Sequence, residues 1–85
     1  MEKVMLLCRS MTHAQRCVRL LEQNGIMGSV IKAPVSLTRT GCGYAVILRR
    51  HWEEGLRIIR NAGLLTGRVY RKRDEEWSEI THDLS

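Results

Sequence analysis

Lys3-Val4-Met5-Leu6-Leu7-Cys8-Arg9-Ser10 is the stretch on which the fold turns: a short apolar run, closed by two polar residues, that reads as a strand over 3–8. A helix follows it directly. Ser10 or Thr12 can cap that helix, and Ala14, Cys17, Val18 and Leu21 fall at i, i+3, i+4 and i+7 to make one apolar stripe before Gly25 ends it. Beyond the glycine, Met27 to Ala33 reads as a second strand, and Pro34 forbids its simple continuation. Tyr44 to Leu48 is a third strand. Trp52, Leu56 and Ile59 then repeat at helical spacing, with Glu53 and Glu54 near the positive end of the helix dipole and Gly63 as the stop. Gly67 to Lys72 is a fourth strand, and Asp74-Glu75-Glu76 turns the chain into a short fifth, Trp77 to Ile80. The order βαββαβ predicts an α+β fold of the ferredoxin-like kind, an antiparallel sheet in the order 4-1-3-2 with both helices on one face. The first and third strands are apolar at nearly every position instead of alternating. The sheet face away from the helices should therefore also be covered, by a second subunit or by the C-terminal segment carrying Trp77, Ile80 and Leu84.

That topology brings the end of the first strand, the start of the first helix and the loop before the third strand to one edge, so Cys8, His13 and Cys42 are expected as neighbours. Cys42 stands between Gly41 and Gly43, where a polar loop meets an apolar strand. Its neighbours have no Cβ, leave the sulfur uncovered and permit positive φ, with backbone N–H groups free to point at a thiolate. The alternative is that the two glycines only shape a turn or bulge. A helix N-terminus or a cation lowers a cysteine pKa from about 8.5 into the range of about 3.5–7.5. Arg9 and Arg39 are the candidate cations for Cys42, and His13 is a candidate proton carrier or else an exposed first-turn residue. Cys8 reads as core or as a resolving thiol that closes a transient disulfide with Cys42. Cys17, on the helix stripe, reads as packing. His51 and His82 have no cluster around them.

Composition narrows the classes. Eighty-five residues make one domain, read as a ferredoxin-like body over 1–73 followed by an acidic segment over 74–85 that packs on it. The body holds fourteen basic and four acidic residues, and the last twelve residues hold five acids. A basic body suits anionic partners, and exposed ion pairs with the acidic end are the plainer account. There is no Phe, and aromatics are 5% of the chain, so platforms for stacking nucleic-acid bases are scarce. The apolar run Val4 to Cys8 is too short for a signal core or a membrane span, and a cytoplasmic location is expected. Three cysteines without a C-x-x-C pair suggest free thiols and no metal or redox motif. No triad, Gly-rich phosphate loop or carboxylate pair supports a hydrolase or kinase.

The opening strand, Ser10-Met11-Thr12-His13-Ala14, Leu20-Leu21 to Gly25-Ile26, the loop with Pro34, Gly41-Cys42-Gly43-Tyr44-Ala45 and Gly67-x-Val69-Tyr70 together resemble the selenium/sulfur carrier protein-like family of small bacterial and archaeal proteins. The resemblance runs over nearly the whole chain. It implies that Cys42 carries sulfur or selenium as a persulfide or selenopersulfide, loaded by a donor of the cysteine desulfurase type and unloaded by an acceptor enzyme. Catalysis by the chain alone, a cofactor, a membrane and a specific nucleic acid form no part of this expectation. A homodimer is compatible with it. The competing expectation is a binding or assembly module whose basic surface meets a polyanion or a protein.

Overall fold

The computed structural model describes residues 3–34, 43–65 and 67–80. Strand β1 (Lys3–Cys8) leads into helix α1 (Met11–Gln23), then strands β2 (Gly28–Lys32) and β3 (Tyr44–Leu48), helix α2 (Trp52–Asn61) and strands β4 (Val69–Arg73) and β5 (Glu76–Glu79). The five strands form one sheet in the order β2-β3-β1-β4-β5, antiparallel at every junction. This is the ferredoxin-like arrangement with a fifth strand added at the β4 edge. The elements differ from the sequence reading mainly at their ends. Ser10, not Thr12, caps α1, β2 is one residue shorter at each end, and β4 starts at Val69. The last turn has only two residues, Asp74 and Glu75, so Glu76 already belongs to β5.

Register settles which side chains share a face, because residues opposite each other in an antiparallel pair point the same way. Val4, Leu6 and Cys8 of β1 lie opposite Leu48, Val46 and Tyr44 of β3, and this set packs with Ala14, Cys17 and Leu21 of α1 and Leu56 and Ile59 of α2. Both helices therefore cover one face. On the other face, Met5 and Ala45 are fully buried in a smaller cluster with Ala33, Ile47 and Tyr70, against which Leu7 and Trp77 pack. Trp77 of β5 thus helps to cover the outer face, whereas Ile80 packs with the helix-side core. Leu84 lies outside the described residues. Across the helix side, the Arg71 guanidinium sits 5.2 Å from the centroid of the Trp52 ring and links β4 to α2. No described helix is long and apolar enough to cross a membrane.

Candidate functional site

Alternation along β1 turns Cys8, its last residue, toward the helices, where it is almost fully buried. Its Sγ lies 3.8 Å from the Leu6 carbonyl oxygen. Ser10 then holds an extended backbone, with φ −145° and ψ 163°, and its side-chain oxygen accepts the His13 N–H at 3.1 Å. That cap fixes the first turn of α1. Residues four apart are neighbours on a helix surface, so His13 and Cys17 meet one turn apart on the flank that looks at β1. The result is a compact group. The Sγ atoms of Cys8 and Cys17 and a ring nitrogen of His13 all lie within 4.8 Å of one another.

A second contact orients the imidazole. His13 Nε2 lies 2.7 Å from the Leu64 carbonyl oxygen. A carbonyl only accepts, so Nε2 carries a hydrogen and Nδ1 is the ring nitrogen that remains for another partner. Leu64 is itself held in place, its N–H donating to the Ile59 carbonyl at 3.0 Å beyond the end of α2. The electrostatics of the two thiols diverge. The Cys8 S–H, hydrogen-bonded to Cys17, brings the Cys17 thiol down to about 7, with help from the charge and hydrogen bond of His13 and against the effect of burial. Cys8 moves the opposite way: it supplies the proton of that hydrogen bond, and burial and the nearby Cys17 charge hold the proton on. The pair therefore gives up one proton far more readily than two. Such a group can keep a buried thiolate, close a disulfide, or ligate a soft cation.

The structure brings together Cys8 and His13, as the topology requires, and adds Cys17 to them. Arg9 is exposed just after β1. Gly43 has φ +137°, and a Cβ built there would lie 3.3 Å from the Cys8 carbonyl oxygen, so the backbone entering β3 runs against the end of β1. The Gly43 carbonyl also accepts the Ala33 N–H at 3.1 Å. Gly41, Cys42 and Arg39 lie outside the described residues, as does His82. His51 serves as the N-terminal cap residue of α2, without a side-chain cap bond. Cys17 is fully buried, in keeping with its place on the helix stripe, yet it is also a member of the site. The signal for it was the four-residue step from His13. Its meaning depends on β1 ending in a third donor, and only the packing of α1 on the sheet joins the two.

Comparison with known proteins agrees with this chain's resemblance. The family model described as putative Se/S carrier protein-like matches residues 3–71. No match was found among curated proteins or among solved structures.

Proposed function

The chain belongs to the Se/S carrier protein-like family, and on that premise we propose that it relays a sulfur or selenium atom between protein partners in the cytoplasm, held on Cys42 as a persulfide or selenopersulfide. Loading is an exchange without net oxidation. The Cys42 thiolate attacks the terminal sulfur of a donor cysteine persulfide, a new S–S bond forms as the donor's breaks, and the donor cysteine leaves as a thiolate. The terminal sulfur keeps its proton. An acceptor nucleophile removes that sulfur by the same exchange. The observation that carries this reading beyond the family is the thiol–imidazole group at the end of β1, beside Gly43, the residue bonded to Cys42. Cys8 is the candidate to resolve the loaded state: it passes its proton to the Cys17 thiolate, attacks the Cys42 sulfur, forms a disulfide and releases the terminal atom as hydrosulfide. The donor is of the cysteine desulfurase type.

Mass spectrometry after incubation with a desulfurase and cysteine tests the assignment. The wild-type chain is expected to gain one sulfur on the peptide containing Cys42, and Cys42→Ser to gain none. An adduct that persists in Cys42→Ser would remove Cys42 from the role.

A further inference from the structure

We propose that Cys8, His13 and Cys17 form a binding site for a thiophilic divalent cation, with zinc as the best fit. The inference needs no step of sulfur loading on Cys42. It bears on the carrier reading at one point: a Cys8 that holds the ion is not free to resolve Cys42, so the metal-bound and resolving states exclude each other. The donor set comes first. Two thiolates and one imidazole suit a soft or borderline ion and not magnesium or calcium, which take oxygen ligands. Distance comes second. In a tetrahedral zinc site with bonds of about 2.0–2.3 Å, the ligand atoms stand about 3.5–3.8 Å apart. The two Sγ atoms and a ring nitrogen of His13 already lie within 4.8 Å of one another, so the group stands about an ångström from zinc spacing.

An independent observation points to the same ligand. A histidine that binds a metal through one nitrogen characteristically donates its other N–H to a carboxylate, a backbone carbonyl or water, which sets the tautomer and the ring plane. His13 has this arrangement, with Nε2 donating to the Leu64 carbonyl at 2.7 Å and Nδ1 left for the ion. Leu64 lies fifty-one residues away in sequence, so the contact is a product of the fold and not of the helix turn. Charge supplies the third argument. The surroundings are apolar, no charged residue among those described is buried, and the half-buried His13 is neutral when it ligates, so no charge packed in this core offsets two thiolates. A divalent cation cancels their charge and makes the buried group neutral. Binding the ion releases into solvent whatever protons the two thiols still carry. Three protein ligands leave a fourth position for water or another donor, and His13 is only half buried.

The test is titration of the reduced, full-length chain with Co²⁺ and then Zn²⁺. One cobalt per chain is expected, with tetrahedral visible bands and a thiolate charge-transfer band whose intensity corresponds to two thiolates, all lost when zinc displaces cobalt. Cys42→Ser should keep the spectrum. Cys8→Ser and Cys17→Ser should lose at least half the charge-transfer intensity, and His13→Gln should weaken binding by about tenfold or more. Because a serine at Cys17 could prevent folding, far-ultraviolet circular dichroism accompanies each variant, and the wild-type band intensity and half-buried His13→Gln remain decisive. A reduced wild-type chain without tetrahedral bands would overturn the proposal, as would a spectrum unchanged in folded Cys17→Ser or abolished by Cys42→Ser alone. Persulfide loading is read separately on Cys42, so either result can fail without the other.

Discussion

Gly67 shows how one absent side chain sets a strand pair. A Cβ at this position would overlap the Leu7 carbonyl oxygen, and backbone cannot swing aside as a flexible side chain can. The close approach serves the sheet, since the Leu7 N–H donates to the Arg68 carbonyl at 2.9 Å, one residue before β4. Gly67→Ala must push β4 away from β1, and a cost of about 1–3 kcal/mol is expected. Urea unfolding checks it, and an unchanged midpoint would mean that the approach relaxes freely. At the same scale, Cys17 and His13 differ from other residues of their helix only in what stands opposite them. The step from residue 13 to residue 17 was legible, but the Cys8 sulfur and the Leu64 carbonyl, which give that step its chemistry, come from distant parts of the chain.

Among the elements, the β4–β5 hairpin carries local strain that the sequence does not advertise. Asp74 and Glu75 both have positive φ, 49° and 71°, the handedness that a two-residue type I′ turn demands. Asp tolerates this region better than Glu does, and neither matches glycine. Glu75 also lies 3.7 Å from the Lys72 ammonium, but its side chain is 93% exposed, and exposed pairs are worth about 0–1 kcal/mol. Relief of the backbone is therefore expected to outweigh loss of the pair: Glu75→Gly should raise stability by a few tenths to about 1 kcal/mol. Thermal unfolding of the two chains decides the matter, and a lower midpoint in the variant would give the ion pair the larger share. The turn itself was readable from Asp74-Glu75-Glu76. Its length was not, because three polar residues in a row do not show which of them already pairs with Arg73.

For the whole molecule, the outer face of the sheet is the feature with the broadest consequence. Met5 and Ala45 are fully buried there, and Trp77 of β5 packs against their cluster while the Lys72 ammonium sits 5.5 Å from the centroid of its ring. A chain ended after Arg73 loses this cover. It is expected to expose apolar surface, bind a hydrophobic dye and sediment as larger species than the full chain. Equal sedimentation and equal dye binding would mean that β5 contributes little to the face.

What the sequence determined by itself was local or periodic. The helix stripe of Ala14, Cys17 and Leu21, the cap at the start of α1 and the runs of β1 and β3 follow from neighbours a few residues apart, and the order of these elements leaves the ferredoxin-like sheet as the simple way to bury them. The continuous apolar runs also announced a sheet covered on both faces. Only the tertiary structure decided which side chains do the covering, with Trp77 on one face and Ile80 on the other, because that depends on the register of β5 against β4. The site divides in the same way. Cys8 and His13 were legible from the connection between β1 and α1, whereas Cys17 became a third donor only when the rotation of α1 about its own axis was set by packing against the sheet, and that rotation is a property of the whole core.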